Sequence, residues 1–249
     1  MNTRAVTTAL ALAAAVLTGC GGNDAKDKPT ATAYAPDTDT AFTDRRDGRT
    51  YRTVKTDTQV WMAENLNYAA EGSVCYKNSA DSCAKYGRLY DWATANKACP
   101  AGFHLPTADE WTELTNYAGG WKIADRKLKS ADGWYGGGWF GCCDDGADEY
   151  GFSALPGGLG YNAGSFGNAR YGGYWWSATE HGAGYAWHRS MHFHRGSKPY
   201  GDGSDKTYMF SVRCVADNNN KNNKEGTMPI KPINMEGTPP LRGEPYPTL

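Results

Sequence analysis

The alternation of apolar and polar residues predicts a β-hairpin at the start of the folded region. The turn dipeptide Asp47-Gly48 precedes a run from Tyr51 to Thr56 whose successive side chains alternate in character, and the run Gln59–Met62 follows closely. Alternation over about four to eight residues is typical of a strand with one buried face. We therefore expect the two runs to pair as a hairpin.

A different spacing predicts a first helix over residues 85–98. Apolar side chains recur there at intervals suited to one face of a helix. They are Tyr86, Leu89, Tyr90 and Ala93, and Trp92 widens the apolar face.

A second helix is predicted to begin at Thr107. The sequence Thr-Ala-Asp-Glu fits a capping box, with Thr107 as N-cap and Glu110 at the third helical position. Trp111, Leu114 and Ala118 then share one face, and Gly119 supplies the stop. After Gly133, glycine and aromatic residues dominate, so we expect short strands and long loops.

The first residues predict export and a lipid anchor. Arg4 is followed by an apolar stretch to Leu17, which is too short for a permanent membrane span and is typical of a secretory signal. It ends in Leu-Thr-Gly-Cys, which resembles a bacterial lipobox, so Cys20 is the expected lipidation site. A plain signal peptide with an incidental cysteine is the alternative. Gly21 and Gly22 directly follow Cys20, with no aspartate at these positions, which favours an outer-membrane lipoprotein on either the cell surface or the periplasmic face.

Composition divides the rest of the chain. After the signal (1–20), residues 21–41 have no apolar period and are expected to be a disordered tether. Residues 42–216 form the single predicted domain, and residues 217–249 form an asparagine- and then proline-rich disordered tail. The net charge of −1 and the absence of a dense Lys/Arg run argue against a nucleic-acid partner.

The cysteines of the predicted domain favour disulfides. The chain has 7 cysteines, and those remaining after Cys20 are even in number in an oxidising compartment. Cys75 and Cys83 flank a short polar loop that a bridge could close. Cys99 and Cys214 would join the second helical segment to the last strand. Spacing alone leaves other pairings open, because six cysteines allow fifteen.

Two further points about the cysteines stay open. Cys142 and Cys143 are adjacent, and because a vicinal bridge is strained they are left without an assigned partner. Zinc binding is the alternative use of the cysteines, although the sequence contains no C-x-x-C pair.

Several segments together resemble a known family. They are, in chain order, DGRTYRTVKTDTQVWMAENLNY, CAKYGRLYDWATA, CPAGFHLPTADEW, GFSALPGG, WWSATE and FSVRCV. In this order they resemble the Fibrobacter succinogenes major paralogous domain, found in exported, often lipid-anchored bacterial proteins. The resemblance covers nearly all of residues 42–216. The family is similar to the C-type-lectin-like and formylglycine-generating-enzyme superfamily, which implies an α+β fold with two helices on short, twisted antiparallel sheets and long Gly- and aromatic-rich loops.

The resemblance gives no enzymatic activity. The formylglycine-generating branch uses a reactive cysteine pair near the chain's end, whereas Cys214 is the only cysteine after Cys143. The Glu-Pro-Asn, Gln-Pro-Asp and Trp-Asn-Asp motifs of calcium-dependent lectins are also absent from the sequence, as are the common hydrolase, nucleotide and metalloprotease motifs. We assign no catalytic residue and expect a non-enzymatic protein, with His104 beside Asp109 and Glu110 explained by helix capping.

Two clusters are candidates for metal binding, and no other cofactor is expected. An acidic, glycine-containing loop offers oxygen ligands for calcium, or is simply solvated. Its residues are Asp144, Asp145, Asp148 and Glu149. One face of a predicted strand carries histidines that suit a transition metal, or that simply face solvent. They are His188, His192 and His194.

Aromatic residues on glycine-rich segments are the candidates for ligand binding. Exposed rings on loops suit sugar faces or partner proteins, whereas buried rings fill the core. The candidates are Trp134, Tyr135, Trp139, Tyr171, Tyr174 and Trp175. We therefore expect a lipid-anchored envelope domain that binds an extracellular ligand such as a polysaccharide. The alternatives are a structural or protein-binding assembly component of the outer envelope, and an enzyme on a degenerate formylglycine-type scaffold.

Overall fold

The computed structural model describes residues 41–136, 146–162, 164–193 and 203–217. The chain divides into two units, residues 1–216 and residues 217–249, and the fold is that of the first unit. Among the helices of these described ranges, none is long and apolar enough to cross a membrane.

The described residues combine short helices with short strands. The strands are β1 (Ala41–Thr43), β2 (Thr50–Thr56), β3 (Gln59–Met62), β4 (Leu89–Tyr90), β5 (Phe103–His104), β6 (Leu159–Gly160), β7 (Phe166–Gly167), β8 (Gly172–Gly182), β9 (Tyr185–His192), β10 (Ser204–Asp205), β11 (Phe210–Ser211) and β12 (Val215–Ala216). The α-helices are α1 (Ala80–Tyr86), α2 (Trp92–Ala98), α3 (Ala108–Tyr117) and α4 (Ala124–Leu128), and a 3₁₀ turn spans Tyr76–Asn78. The mixed α+β class is confirmed, but the described residues contain four short α-helices where the resemblance implies two.

The strands form two five-stranded sheets and a small hairpin. The first sheet has the order β1-β2-β3-β12-β5, the second has the order β10-β9-β8-β11-β4, and β6 pairs with β7. The pairings between named strands are antiparallel except for β11 with β8, where Ser211 lies opposite Trp175 in a parallel arrangement. The C-terminal strands β11 and β12 therefore enter different sheets and connect them.

The predicted hairpin is confirmed as β2 and β3. Their antiparallel register places Val54 opposite Trp61 and Thr56 opposite Gln59. Asp57 at the connecting turn has a positive φ of 50°, a conformation that aspartate tolerates better than most residues.

The predicted first helix is wrong in its first half. Residue Gly87 ends α1 with a φ of +75°, and Leu89 and Tyr90 then form β4, which pairs with Ser211 and Phe210. The helix resumes as α2, whose N-cap Asp91 accepts a hydrogen bond from Thr94 N at 2.7 Å. Pairing with a strand more than a hundred residues away has overridden the local apolar spacing.

The second predicted helix is confirmed as α3. Thr107 Oγ1 accepts a hydrogen bond from Glu110 N at 3.2 Å, and Glu110 Oε2 accepts one from Thr107 N at 2.8 Å. These reciprocal bonds are the predicted capping box, and they satisfy two backbone donors that would otherwise lack partners at the helix start.

Strand β8 lies between two hydrophobic clusters. Trp175 and Trp176 are fully buried neighbours, and because successive strand residues point to opposite faces they enter different clusters. Trp175 packs near Trp111, with ring centroids 6.3 Å apart, while Trp176 packs on Phe210 at 4.3 Å. The central strand therefore organises both halves of the core.

Two disulfides join the expected cysteines. Cys75 bonds to Cys83 across 8 residues, and Cys99 bonds to Cys214 across 115 residues. Both pairs considered from the sequence are thereby confirmed. Cys20 and the adjacent Cys142 and Cys143 lie outside the described residues.

Candidate functional site

Two exposed tyrosines form a stacked pair. Tyr135 is 36% exposed and Tyr171 is 44% exposed, and their ring centroids lie 4.7 Å apart with an interplanar angle of 25°. Phe193 meets both rings edge-on, at 5.8 Å from Tyr135 and 5.5 Å from Tyr171. We call these three residues the ring cluster. It presents apolar ring surface and phenolic hydroxyls to solvent at one place.

Backbone hydrogen bonds tie the three segments of the ring cluster together. Tyr135 N donates to Arg170 O at 2.8 Å, and Phe193 N donates to Tyr171 O at 2.9 Å. Arg170 N in turn donates to Pro156 O at 2.9 Å. The rings are thus placed by paired backbone, which keeps their relative positions fixed without relying on the ring contacts alone.

The turn before Tyr171 has an unusual backbone. Asn168 and Arg170 both have positive φ, 63° and 72°, although neither is a glycine. Asn168 O accepts hydrogen bonds from Tyr171 N at 3.0 Å and Gly172 N at 2.9 Å, which closes the turn. A left-handed conformation at a non-glycine residue carries a local free-energy cost and is found more often at functional sites than elsewhere.

Three of the six candidate rings are buried, which corrects their assignment as ligand-binding residues. Trp134 is 7% exposed and packs in a hydrophobic cluster, and its Nε1 donates to Ser130 Oγ and Ala154 O, both at 3.2 Å. Tyr174 is also buried, and its hydroxyl accepts a hydrogen bond from Asn168 Nδ2 at 2.9 Å. Trp175 lies wholly in the core. Trp139 lies outside the described residues.

The candidate histidines do not form an exposed row. His188 is 8% exposed, with its Nδ1 3.2 Å from Ser204 Oγ and its ring 5.0 Å from that of Phe210. Burial lowers the pKa of the His188 imidazole to about 4, and the nearby His192 and Arg189 contribute to the lowering. His188 is therefore a neutral packing residue at physiological pH, and the solvent-facing alternative is wrong for it.

Comparison with family models shows which family the domain belongs to. The family model of the Fibrobacter succinogenes major domain matches residues 54–216, which is more than half of the chain. This chain belongs to the Fibrobacter succinogenes major domain family. Comparisons with curated proteins and with solved structures find no match. The ring cluster lies wholly inside the segment that matches the family, so it is part of this Fibrobacter succinogenes major domain and not of the flanking residues.

The two described histidines of the candidate metal set lie well apart along β9. His188 and His192 are four residues apart on β9, a separation of about 13 Å at the usual strand rise. His194 lies outside the described residues. No group of three or more His, Cys, Asp or Glu side chains suited to a metal occurs among the residues that the structure describes.

Two of the candidate calcium ligands have protein partners. Asp148 Oδ1 accepts a hydrogen bond from Ser153 N at 2.7 Å, and its other oxygen accepts one from Ser153 Oγ at 2.5 Å. Glu149 forms an ion pair with Lys127 at 3.0 Å. Asp144 and Asp145 lie outside the described residues.

The histidine and carboxylates near the start of α3 form a capping arrangement. His104 Nε2 lies 2.9 Å from Glu110 Oε1, while the other carboxylate oxygen of Glu110 caps the helix. The same carboxylate therefore serves both contacts, in agreement with the structural explanation from sequence.

The buried guanidinium of Arg213 is hydrogen-bonded to groups in the core of the domain. The fully buried Arg213 donates to Asn65 Oδ1 from Nε at 3.0 Å and from Nη2 at 2.8 Å, and also to the backbone carbonyls of Met62, Phe152 and Ser153. Burial lowers the pKa of its guanidinium to about 9. With its donors turned to these neighbours, Arg213 serves the core, and a surface ligand has no access to it.

Tyr135 and Tyr171 were candidates from the sequence and are exposed in the structure, whereas the exposed Arg170, which directly precedes Tyr171, was not a candidate. Phe193 was not among the candidates either. Asn168 carries the one local signal, because asparagine tolerates the left-handed conformation and often marks turns. Nothing in the local sequence indicates that Arg170 adopts the same conformation.

Proposed function

We propose that this protein is a non-enzymatic, lipid-anchored component of the bacterial outer envelope that binds an extracellular polysaccharide through the ring cluster. The single observation that carries the proposal is the exposed, stacked pair Tyr135 and Tyr171 beside Phe193. A tyrosine ring offers an apolar face to the C–H side of a sugar and a hydroxyl that can hydrogen-bond to it.

Preorganisation supports this role. The rings of a binding site lose less conformational freedom on binding when the free protein already fixes their positions. The hydrogen bonds from Tyr135 and Phe193 to the 170–171 backbone supply that fixation. The family's resemblance to C-type-lectin-like domains adds a further argument, and we propose that architecture for the domain as well.

Retention of the full chain on insoluble glycans tests the sugar proposal. We expect retention on at least one of cellulose, xylan, mannan and peptidoglycan, and loss of that retention in Tyr171→Ala and Tyr135→Ala. Tyr185→Ala is the matched control, because Tyr185 is 51% exposed but lies at the opposite end of β9 from Phe193. No retention on any glycan, or equal retention by all three variants, would contradict the proposal.

The envelope location rests on Cys20 and has its own test. Metabolic labelling with a palmitate analogue is expected to label the wild-type chain and not Cys20→Ser. Equal labelling of the two chains, or no labelling of either, would contradict the lipid anchor without affecting the sugar site.

A protein-binding assembly role is the second candidate. It is favoured by Trp121 and Ile123, which lie exposed between α3 and α4. Crosslinking in intact membranes distinguishes the roles: a crosslinked envelope protein that is lost in Trp121→Ala and kept in Tyr171→Ala supports assembly.

A further inference from the structure

We infer that the ligand of the ring cluster is an acidic polysaccharide, and that Arg170 binds the carboxylate of a uronic acid unit whose ring packs against the tyrosines. This inference rests on the proposed sugar-binding function and names the class of sugar. It begins from the position of Arg170, which directly precedes Tyr171 and whose carbonyl accepts the hydrogen bond from Tyr135.

The guanidinium of Arg170 is available for a ligand. Arg170 is exposed, and its side chain makes no hydrogen bond or ion pair within the part of the chain that the structure describes. The arginines with bonded side chains elsewhere differ in this respect: Arg52 pairs with Glu64, and Arg46 pairs with Asp44. A guanidinium offers a planar fork of donors that matches a carboxylate.

The backbone of Arg170 points to a role for its side chain. At a φ of 72° glycine would be the least strained residue, and an arginine carries a conformational cost there. The side chain is exposed, and it makes no hydrogen bond or ion pair among the described residues that would explain the arginine. An exposed side chain on a strained backbone, next to an exposed pair of rings, is better explained by binding of a ligand than by stabilisation of the fold.

The ring cluster also has an acidic residue near it in sequence. Asp132 is exposed and precedes Tyr135 by three positions, with Gly133 and the buried Trp134 between them. Arg170 is joined to the cluster more directly, through the peptide bond to Tyr171 and the hydrogen bond from Tyr135. The charge closest to the rings along the backbone is therefore positive.

The test compares one polymer with and without its charge. The full chain, purified in detergent, is run by affinity electrophoresis through gels containing polygalacturonate or the fully methyl-esterified form of the same polymer. We expect wild type to bind polygalacturonate about tenfold or more tightly than the ester, as for a charged hydrogen bond. Arg170→Gln should lower affinity for polygalacturonate to that for the ester, and Arg170→Lys should keep part of the difference.

Two control variants test whether loss of any positive charge, or loss of stability, could explain the result. Lys55→Gln removes one positive charge from the exposed side of β2 in the other sheet and should leave binding unchanged. Arg170→Gly relieves the positive φ, so its melting temperature should equal or exceed that of wild type while its preference for the acid is lost. A clearly lower melting temperature in Arg170→Gly would assign Arg170 a structural role and overturn the inference.

The outcomes separate this inference from the proposed function. Equal binding of both polymers by wild type, with loss of both in Tyr171→Ala, overturns the acidic ligand and leaves the sugar site standing. Equal affinity for dextran sulfate and polygalacturonate also overturns it, because general charge attraction would then suffice. Binding of every polymer that is unaffected by Tyr171→Ala and Tyr135→Ala removes both proposals together.

Discussion

The residue with the clearest pH-dependent consequence is His188, which lies on β9 opposite Trp176 of β8. Its imidazole is enclosed by Phe210, Tyr174 and Ser204, while His192 and Arg189 are the charged or titratable neighbours. A buried imidazole in these surroundings resists protonation because the charged form loses its hydration. Folding and protonation of His188 therefore oppose each other.

Acid is expected to destabilise the domain through His188. Its folded pKa of about 4 lies below the ordinary value of 6.5, so as pH falls the unfolded chain takes up the proton first. The stability contribution is complete above pH 6.5 and is lost as pH falls toward 4, by about 3 kcal/mol at most. Chemical unfolding between pH 7 and pH 4 should show a shallower decrease in His188→Gln than in wild type. His181→Gln, at an exposed histidine, is the control, and a slope equal to that of wild type in both variants would refute the assignment.

The capping box makes a second prediction at the residue scale. Thr107→Ala removes the acceptor for Glu110 N and should lower the free energy of unfolding by about 1 kcal/mol. Thr112→Ala in the middle of α3 removes a hydroxyl bonded to Ala108 O and should have the smaller effect, because the helical backbone there is already paired. Equal melting temperatures for Thr107→Ala and wild type would contradict a stabilising cap.

These residues show which features of a site can be predicted locally. The capping box was predictable because its two partners lie three residues apart and act through one turn of helix. The burial of Trp134 was not predictable, because it depends on Ser130 and on Ala154, which is twenty positions away. The candidates therefore included two tyrosines that the structure leaves exposed, but the buried rings could not be separated from them without the tertiary contacts.

At the scale of elements, the segment between α1 and α2 shows how a local period can mislead. Helical spacing relates Tyr86, Leu89, Tyr90 and Ala93, yet α1 ends and α2 begins within this stretch. Gly87 ends α1, and β4 pairs with the distant β11. Gly87 was a sequence signal for the end of α1, because glycine is common just after the last helical residue. The helical spacing of the apolar residues instead predicted that the helix continues.

Gly87 is expected to be irreplaceable for two separable reasons. A Cβ atom there would meet Asn65 Cβ and Leu66 O at 2.8 Å, and the φ of +75° is itself unfavourable for other residues. Gly102 has a φ of +85°, but a Cβ atom there would meet nothing within 4 Å, so it carries the conformational cost alone. Gly102→Ala should lower the free energy of unfolding by about 1 kcal/mol, and Gly87→Ala by at least about 2 to 3 kcal/mol. Urea unfolding measures both, and equal losses would contradict the steric contribution.

At the scale of the whole molecule, the C-terminal strands connect the parts of the fold. β11 enters the sheet of β8, β12 enters the sheet of β3, and Cys214 between them is bonded to Cys99. Arg213 sits beside that cysteine and bonds to Asn65 and to carbonyls near β3 and Phe152. Of these connections, the pairing of Cys99 with Cys214 was considered from the sequence, whereas the strand pairings and the contacts of Arg213 join distant residues that carry no such local signal.

The two disulfides should therefore contribute unequally to stability. In the chain-entropy model a cross-link stabilises mainly by restricting the unfolded chain, and more so for a longer loop. The bridge between Cys99 and Cys214 encloses 115 residues of separation and should contribute about 4–5 kcal/mol, whereas the bridge between Cys75 and Cys83 encloses 8 and should contribute about 2–3 kcal/mol. Paired alanine variants, Cys99→Ala with Cys214→Ala and Cys75→Ala with Cys83→Ala, measure the difference by denaturant unfolding without reductant.

Burial of the cysteines and contacts around each bridge also affect the stability of the two double variants. Cys214 is fully buried between β11 and β12 and Cys83 is 6% exposed, so each double replacement adds a packing loss, and loop length carries the expected difference. The short bridge closes only the segment before and within α1, which Arg88 also contacts through both sulfurs at 3.8 Å. The pair lacking the long bridge should unfold at the lower denaturant concentration. Equal midpoints, or a lower midpoint for the pair lacking the short bridge, would show that loop length does not govern the stabilisation and that local contacts around Arg88 dominate instead.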